Sequence, residues 1–370
     1  MHEAGPFVVQ SHRGPYVVRR EALAAALPSG LLPADRLIVD RSLQGLYPAV
    51  SNLASTEQTC PVTANESLKS LNGITPILTW LIDSGFNRSG TLYAVGGGTV
   101  QDATCFIASI LHRGARWVYF PTTLISQGDS CIGSKSSINH SGYKNQLGTF
   151  YPPAEVVIDD AFLKTLPPTQ IRSGVGEILH YGALGDETVF AAYEAALVAG
   201  WELLSTDDLA ELAMSAIAVK RRFVEADEFD RGHRTALNFG HTFGHALEFA
   251  SAGQIPHGVA VAYGMDLANA YAESRGILAH AVRVRIENVI RKVVDGRELV
   301  TVVGSRLLEG MARDKKRSNC HIELVLIKDI GKPVRHKVPL DNRLRAFLDD
   351  YLAAWHTRDS SDGLTIVERK

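Results

Sequence analysis

The sequence predicts an α/β domain with a mostly parallel sheet, followed by a mainly α-helical domain. Three observations lead to this fold class. Short β-rich runs alternate with helical stretches as far as about Asp160, as in sheets with helices on both faces. From about Phe162 the strand signal fades and helical periodicity dominates. A chain of 370 residues is long enough for two domains, which we place at residues 1–163 and 164–370.

Five β-rich runs in the first part of the chain are predicted to be strands. Their short lengths and their β-branched and aromatic residues are typical of strands buried on both faces. In chain order they are residues 15–20, 36–40, 91–98, 117–121 and 155–159. The intervening segments 22–30, 66–85 and 100–114 are predicted to be helices or helix-loop pieces.

The second part of the chain is predicted to be helical. Helical periodicity covers residues 167–184, 187–204, 207–228 and the histidine-rich stretch 237–265. A β-hairpin over residues 322–338 is the exception, because Gly331-Lys332 can turn the chain between two β-rich runs. The segment Leu163–Pro168 is the predicted hinge between the domains.

Composition and charge limit the classes of function. Hydrophobic residues make up 45% and charged residues 21%, which is ordinary for a globular protein. The formal net charge of -2 gives no reason to expect nucleic acid or an acidic membrane as a partner. No apolar run reaches the roughly 18 residues of a membrane span, and no secretory signal pattern is present. The four cysteines are scattered, so we expect a reduced, cytoplasmic protein.

The segment Leu237–Met265 carries the clearest chemical signal. His241 and His245 are one helical turn apart and therefore share a face, and His257 follows in a Pro-His-Gly turn. Neutral imidazole suits zinc and related divalent ions. A metal site is one interpretation of this spacing, and packed or solvated histidines are the other.

Other polar residues extend this pattern. The spacing predicts a single helical stripe that holds Arg234, Asn238, His241 and His245. Four polar groups on one stripe indicate a ligand cavity rather than a core. Glu177 lies in a short glycine-bounded helix with apolar neighbours, although a lone helical glutamate is usually solvated.

Glycines and polar residues follow three of the predicted strands. Gly96–Gly98 leave a strand and enter a helix, where backbone N–H groups can approach a phosphate. They do not form GxGxxG, so a nucleotide site and a plain tight turn are both compatible with them. Asp40 is compatible with a ribose contact or a turn cap, and Thr122-Thr123 end a later strand. Such ends are where ligands of open α/β sheets bind.

The segment 127–148 is predicted to be too broken for regular structure. It combines glycines with Asp129, Lys135, Lys144 and Asn145. Lysine and asparagine can hold a phosphate or carboxylate, and an aspartate can balance their charge or contact a substrate hydroxyl. The mixture indicates a binding segment.

Together these motifs resemble the 3-dehydroquinate synthase family of sugar phosphate cyclases. In chain order they are GGGxxxD, PTT, DSxxGxK, GExxxYG, a lysine, RxxLNFGHTFGH, PHG and DKK. The resemblance runs from about Asp40 to the DKK element, which is most of the chain. It implies a Rossmann-like NAD-binding domain, a helical metal-binding domain and a homodimer.

The resemblance also implies roles for individual residues. It assigns a divalent metal, zinc in preference to cobalt, to Glu177, His241 and His257. It assigns NAD to Asp40, Glu66, Lys69, Gly96, Gly97, Gly98, Asp102, Thr122, Thr123, Lys144 and Thr165. It assigns a phosphorylated sugar substrate to Asp129, Lys135, Asn145, His180, Lys220, Arg234, Asn238, His245 and Lys316, with Arg113 supplied by the other subunit.

The reaction implied by the resemblance converts a 7-phosphorylated ketose or ulosonate into a carbocycle. It combines oxidation by NAD, β-elimination of phosphate, re-reduction and intramolecular aldol closure, so NAD is regenerated. Two departures from the family pattern concern the substrate. Where the family usually reads GExxKYG and HGE, this chain has His180 and Val259, which replace an ammonium and a carboxylate. They favour an alternative, a secondary-metabolism cyclase that converts sedoheptulose 7-phosphate to a valiolone-type cyclitol.

Two further classes of protein share parts of this pattern. An iron-dependent alcohol dehydrogenase shares the general architecture but consumes NAD stoichiometrically. The lysine-rich set of predicted phosphate and carboxylate contacts argues against this class. A non-catalytic protein that binds only metal or nucleotide is disfavoured by the intact set of Glu177, His241 and His257.

Overall fold

The computed structural model describes residues 5–27, 29–141, 143–313, 317–318 and 320–359. The chain divides into two compact units. The first consists of Met1–Ile171 and Ser205–Arg234, and the second consists of Arg172–Leu204 and Thr235–Lys370. The predicted boundary between residues 163 and 164 assigns Ser205–Arg234 to the second domain, whereas its contacts group it with the first unit.

A seven-stranded sheet forms the centre of the first unit. Its strands are β1 (Phe7–Val9), β2 (Tyr16–Arg20), β3 (Arg36–Asp40), β4 (Thr59–Val62), β5 (Thr91–Gly96), β6 (Arg116–Pro121) and β9 (Glu155–Ile158). They lie in the order β1-β2-β9-β6-β5-β3-β4, and only the β1–β2 pair is antiparallel among these described strands. The predicted mostly parallel sheet is confirmed. Sequence reasoning missed β1, which has three residues, and β4, whose Pro61 is tolerated at a sheet edge.

Helices cover both faces of this sheet. They are α1 (Leu23–Ala26), α2 (Pro48–Ala54), α3 (Leu71–Asp83) and α4 (Gly98–Ile110). Side chains of β3 alternate between two cores, with Ile38 in one and Leu37 and Val39 in the other. Burial on both faces explains why this strand reads as a continuous apolar run.

Helix α7 (Thr206–Ala226) belongs to the first unit although it follows two helical segments of the second along the chain. Its Met214, Ile217 and Val224 belong to the core that contains Ile38 of the sheet. Helical periodicity reveals an apolar stripe but does not say which core the stripe faces. This is why the sequence order alone misallocates the segment.

The segment 127–148 has more regular structure than predicted. A π-helical turn spans Ser126–Ser130, and a two-stranded antiparallel sheet pairs β7 (Ile138–His140) with β8 (Tyr143–Leu147). The prediction of an irregular segment is therefore wrong for these residues. The two strands lack the apolar alternation that reveals a half-buried strand, since β8 is largely exposed.

The second unit is mainly helical, as predicted. Its helices are α5 (Pro168–Leu184, in this unit from Arg172), α6 (Glu187–Ala196), α8 (His241–Ala250), α9 (His257–Ser274), α10 (His280–Ile290), α11 (Gly304–Ala312) and α12 (Asn342–Asp359). The predicted hairpin is confirmed as β11 (His321–Ile327) and β12 (Pro333–Pro339), with the short β10 (Arg317–Ser318) beside it. No helix in the described part of the chain is both long enough and apolar enough to cross a membrane.

Candidate active site

The sheet of the first unit brings three predicted NAD contacts to one edge. Asp40 ends β3, Gly96 ends β5 and Thr122 follows β6, and these three strands are adjacent and parallel. Parallel strands present their carboxyl ends at the same edge, where ligands of open α/β folds bind. The Asp40 carboxylate accepts a hydrogen bond from the Ser42 backbone N–H at 2.9 Å.

The glycines at this edge leave little room for side chains. A Cβ atom on Gly97 would lie 2.9 Å from the Cγ2 atom of Thr123, and one on Gly96 would lie 2.6 Å from Val100. Gly97 precedes helix α4, and no described side chain caps that helix end. The first N–H groups of α4 are therefore left for another acceptor, and a phosphate suits such a helix end.

A second group of predicted NAD residues forms an ionic network. The Nζ atom of Lys69 lies 2.7 Å from Oδ2 of Asp102, and the Ser137 backbone N–H donates to Oδ1 of Asp102 at 2.9 Å. Burial raises the pKa of Asp102, while Lys69 and Ser137 act in the opposite direction. Asn145, predicted to contact the substrate, lies in this network, because its Oδ1 accepts from Ser137 Oγ at 2.8 Å.

The remaining predicted NAD residues are Glu66, Lys144 and Thr165. Glu66 accepts a hydrogen bond from the Asn139 side chain at 2.7 Å, and Asn139 in turn accepts from the backbone N–H of Asn145. Lys144 is exposed on β8. The hydroxyl of Thr165 bonds to that of Tyr47.

Two predicted substrate residues of the first unit form a partly buried ion pair. The Nζ atom of Lys220, on α7, donates to the Asp129 carboxylate at 2.8 Å and to the Asp129 carbonyl at 2.6 Å. An ammonium has three N–H donors, and these contacts use two of them. No acceptor among the described residues engages the third donor of Lys220, which an oxygen of a ligand can therefore take.

Lys135 and Arg234 add two cations to the same region. Lys135 forms an ion pair with Asp230 at 2.5 Å, and Arg234 donates to the carbonyls of Gly133 and Glu228 at 3.0 and 2.6 Å. Burial lowers the pKa of Lys135, and repulsion by Arg234 adds to the effect. We call Lys135, Lys220 and Arg234, with their carboxylates Asp129 and Asp230, the cation cluster. Its positive charges outnumber its negative ones, as is typical of an anion site.

Sequence reasoning did not assign roles to Asp227 and Glu228, which hold the loops of the cation cluster. The Asp227 carboxylate accepts from the backbone N–H groups of Arg231, Gly232 and Arg234 at 2.7 to 3.1 Å. The Glu228 carboxylate accepts from Ser134 Oγ at 2.5 Å and from two residues of the β1–β2 connection. The acidic pair is visible in the sequence, but its partners are distant in the chain.

In the second unit, Glu177, His241 and His257 converge. The Nε2 atom of His241 lies 3.3 Å from Oε1 of Glu177, and that of His257 lies 3.4 Å from Oε2. One ligand atom from each residue lies within 4.8 Å of the others, a spacing that can hold one divalent ion. We call these residues the metal triad.

Paired glycines allow the helices of the metal triad to approach each other. Gly176 precedes Glu177 on α5, and Gly258 follows His257 on α9. A Cβ atom on Gly258 would lie 1.7 Å from the Ser173 carbonyl, and one on Gly176 would lie 2.3 Å from the Gly258 carbonyl. Any larger residue would push α5 and α9 apart.

The metal triad fits a cation by two tests. Oε2 of Glu177 is buried and accepts no hydrogen bond from any residue that the structure describes. In addition, Nδ1 of His241 donates to the carbonyl of Phe239 at 3.2 Å, so the lone pair of its Nε2 faces the triad.

His180 lies beside the metal triad and is fully buried. Its Nδ1 atom donates to the Glu177 carbonyl at 2.5 Å, and its ring lies 5.1 Å from that of His241. The structure therefore brings this predicted substrate residue next to two members of the metal triad.

The single helical stripe predicted for residues 234–245 is wrong. Arg234 and Asn238 lie in a 3-10 helix, and α8 begins only at His241. Gly240 separates the two with a φ of 80°, and a Cβ there would lie 2.9 Å from the Val261 carbonyl. His241 and His245 remain one turn apart on α8, where His245 is exposed.

Two predicted substrate residues remain, Arg113 and Lys316. Arg113 is exposed, and both it and His112 adopt left-handed backbone conformations, with φ of 65° and 53°. Lys316 lies outside the described residues.

Two family models match the chain. The 3-dehydroquinate synthase N-terminal model covers residues 59–173, and the 3-dehydroquinate synthase C-terminal model covers residues 174–317. The chain belongs to the 3-dehydroquinate synthase family. The resemblance inferred from the sequence motifs is confirmed.

Curated 3-dehydroquinate synthases match most of the chain. That of Acinetobacter baumannii is 37% identical over 287 residues, which cover 77% of this chain and 79% of the relative. That of Rhodopseudomonas palustris is 35% identical over 331 residues and 86% of each chain. The similarity therefore includes both compact units.

Several solved structures share the fold. A 2-deoxy-scyllo-inosose synthase complexed with carbaglucose-6-phosphate, NAD+ and Co2+ is 20% identical, with a TM-score of 0.80 over 93% of this chain and 99% of that one. A 2-epi-5-epi-valiolone synthase from Streptomyces hygroscopicus with NAD+ and Zn2+ bound is 26% identical, with a TM-score of 0.77 over 93% of this chain and 97% of that one. A probable glycerol dehydrogenase from Sinorhizobium meliloti is 17% identical, with a TM-score of 0.56 over 93% and 97%.

Proposed function

We propose that this protein is a metal- and NAD-dependent sugar phosphate cyclase of the 3-dehydroquinate synthase type. The observation that carries the proposal is the convergence of Glu177, His241 and His257 in a member of that family. One carboxylate and two imidazoles leave positions open for substrate oxygens, as a catalytic metal requires.

Glu177, His241 and His257 would hold the metal. Zinc is the first choice for this ligand set and cobalt the second, and the related synthases hold Zn2+ or Co2+ together with NAD+. When bound, the metal supplies Lewis acidity to a substrate oxygen. Glu177 orients the set, because it is buried between the two imidazoles.

The sheet edge of the first unit would hold NAD. Asp40 is positioned for a ribose hydroxyl and the N-terminus of α4 for the pyrophosphate. The network of Lys69 and Asp102 would bind polar groups of the cofactor. The cofactor supplies reversible hydride transfer, and the protein positions it.

The cation cluster would hold the substrate's phosphate and carboxylate. Lys220 keeps one donor available among the described contacts, and the half-exposed Lys135 lies near Arg234, so an anion would relieve their repulsion. A ulosonate phosphate brings two anionic groups to such a site. We therefore place 3-deoxy-arabino-heptulosonate 7-phosphate first among the substrates.

The presence of His180 supports a second candidate substrate, sedoheptulose 7-phosphate. Its Nδ1 proton is engaged by the Glu177 carbonyl, and the ring is buried, so it offers the substrate less than the flexible ammonium of the family pattern does. Val259, also fully buried, lacks the carboxylate of that pattern. A ketose phosphate, which has no carboxylate, would need fewer charged contacts than a ulosonate phosphate.

Phosphate release tests the proposal. The protein, loaded with zinc and NAD+, is offered the two 7-phosphates in parallel, and phosphate and carbocyclic product are measured. We expect release from the ulosonate phosphate with dehydroquinate formed. Release from sedoheptulose 7-phosphate alone would make the protein a cyclitol-forming cyclase instead. No release from either would overturn the cyclase proposal.

The same assay separates a cyclase from a metal-dependent alcohol dehydrogenase. A cyclase regenerates NAD+ in each turnover, so absorbance at the NADH band should not grow with the phosphate released. Accumulation of NADH in proportion to turnover would favour the dehydrogenase. The fold is compatible with that class, because a probable glycerol dehydrogenase has a similar one.

We also propose a homodimer in which Arg113 completes the active site of the other subunit. The observation that supports this arrangement is that Arg113 is exposed and has a left-handed backbone conformation. Mixed dimers of Arg113→Ala and His257→Ala chains should regain part of the activity that each variant alone lacks. Absence of any gain in confirmed mixed dimers would contradict this arrangement.

A further inference from the structure

We infer that Glu248 is a positioning residue for the metal ligand His257. Glu248 lies on α8, nine residues before His257 in the chain. Its Oε2 atom lies 3.0 Å from Nδ1 of His257, while Nε2 of the same ring lies 3.4 Å from Glu177. The ring therefore spans from one carboxylate to the other. The inference rests on the proposed metal site and adds a residue to it.

The contact determines which nitrogen of His257 carries a proton. An ionised carboxylate only accepts, so Nδ1 of His257 must donate to Glu248. In the neutral ring this leaves the lone pair on Nε2, the atom directed at the metal triad. The carbonyl of Phe239 favours the same tautomer in His241, because it accepts a hydrogen bond from Nδ1. The two imidazoles therefore adopt this tautomer through different hydrogen-bond acceptors.

His257 needs this support more than His241 does. Its side chain is 36% exposed, against 14% for His241, so packing constrains its ring less. The position two residues later, where the family pattern has a carboxylate, is held by the buried Val259. Glu248 supplies a carboxylate to His257 from a different helix.

An alternative role for Glu248 is direct metal ligation. One atom each from His245, Glu248 and His257 lies within 4.8 Å of the others, which is a second possible cation set. If an ion in that set used His257 Nδ1, which lies 3.0 Å from Glu248, it would displace the proton that this hydrogen bond requires. Glu177, in contrast, presents a buried oxygen without a donor among the described residues. The geometry thus favours positioning over ligation.

Cobalt binding tests the inference with the full chain. Glu248→Ala, Glu248→Gln and wild type are stripped of metal, and the dissociation constant of Co2+, its stoichiometry and its visible absorption are measured. We expect Glu248→Ala to bind one Co2+ about 10- to 100-fold more weakly, the usual effect of losing such a partner. Glu248→Gln should recover much of the affinity, because its amide oxygen still accepts from Nδ1.

Glu273→Ala is the matched control. Glu273 accepts a hydrogen bond from Nδ1 of the exposed His280 at 2.5 Å, so the variant removes the same kind of contact away from the metal triad. Its Co2+ affinity should equal that of the wild type. Circular dichroism of each variant checks that the fold is retained.

Several outcomes would overturn the inference. Unchanged Co2+ affinity in Glu248→Ala would remove the positioning role, and loss of one of two bound Co2+ ions would make Glu248 a ligand of a second site. Complete loss of Co2+, as expected for His257→Ala, would make Glu248 a ligand of the first. A wild-type protein that binds neither Co2+ nor zinc would overturn the proposed metal site itself.

Discussion

Three histidines at the candidate active site show how a neighbouring acceptor decides what an imidazole can do. Nδ1 of His241 bonds to a backbone carbonyl, that of His257 to the Glu248 carboxylate and that of His180 to the carbonyl of Glu177. The same side chain therefore directs Nε2 at the metal triad in two places and lies buried beside it in the third.

Substrate choice can be tested at position 180. We expect His180→Lys to raise the ratio of kcat/KM for 3-deoxy-arabino-heptulosonate 7-phosphate over that for sedoheptulose 7-phosphate by roughly tenfold. The reason is that a charged hydrogen bond to the substrate carboxylate is worth about 1.5 to 3 kcal/mol. His180→Gln, which adds no charge, serves as the control. An unchanged ratio would show that this position does not select the substrate.

The cysteines allow a test of burial at single residues. Burial raises the pKa of the Cys105 and Cys131 thiols to about 12, whereas Cys320 is exposed. Since the thiolate is the reactive form, a thiol reagent at pH 8 should modify Cys320 quickly and Cys105 and Cys131 only after unfolding. Mass mapping of the native protein measures this order, and rapid labelling of Cys131 would contradict its burial.

At the scale of elements, short contacts between backbones determine where the ligands lie. Helices α5 and α9 meet at Gly176 and Gly258, and each glycine is next to a residue of the metal triad. The turn that leads from α7 to Arg234 is held by backbone hydrogen bonds to one carboxylate, Asp227.

Gly258→Ala should separate the two helices. The new Cβ would lie 1.7 Å from the Ser173 carbonyl and 2.8 Å from the backbone nitrogen of Glu177. Overpacking of this kind costs about 1 to 3 kcal/mol, and we expect at least tenfold weaker zinc binding as the ligands move. Metal titration and urea unfolding measure both effects. Gly232→Ala, where the Cβ meets nothing within 4 Å, should change neither.

The turn after α7 should lose its stabilisation in acid. Hydrogen bonds from the backbone, that of Arg231 foremost, lower the pKa of Asp227 from 3.8 to about 2. A lowered folded-state pKa means that Asp227 stabilises the fold fully above about pH 4, and that this contribution disappears as the pH falls towards 2. The difference in unfolding free energy between wild type and Asp227→Asn should therefore shrink from pH 5 to pH 2.5. A difference that stays constant would contradict the shift.

For the whole molecule, the metal triad draws its ligands from distant parts of the chain. Glu177 precedes His241 by many residues, and the intervening α7 belongs to the other compact unit. An ion that binds only when Glu177, His241 and His257 meet therefore binds the folded state and not the unfolded chain. Such binding stabilises the fold in proportion to the logarithm of the ligand concentration.

Zinc should accordingly stabilise the protein. At a free concentration one hundred times its Kd, we expect the free energy of unfolding to rise by about 2.7 kcal/mol, and a chelator should reverse the gain. Urea unfolding with and without zinc measures it. His257→Ala should show little response, and equal stability of the wild type with and without zinc would argue against a metal site formed by folding.

The sequence by itself determined the fold class. The alternation of β-rich and helical runs is a local pattern, so it can be recognised without knowing which elements pack together. It also pointed to the residue types of the metal triad, since imidazoles one turn apart are recognisable without a structure. Its errors are local as well. The stripe through Arg234 and His241 fails because Gly240 is left-handed where it packs against Val261, which only the neighbouring helix dictates.

Only the tertiary structure decided which distant groups meet. The allocation of α7 to the first unit, the pairing of Lys135 with Asp230 and the contact of Glu248 with His257 all join residues on separate elements. The physical reason is that periodicity records which face of an element is apolar, while its partner depends on how the whole chain closes. Polar pairs across such contacts carry no periodic signal at all.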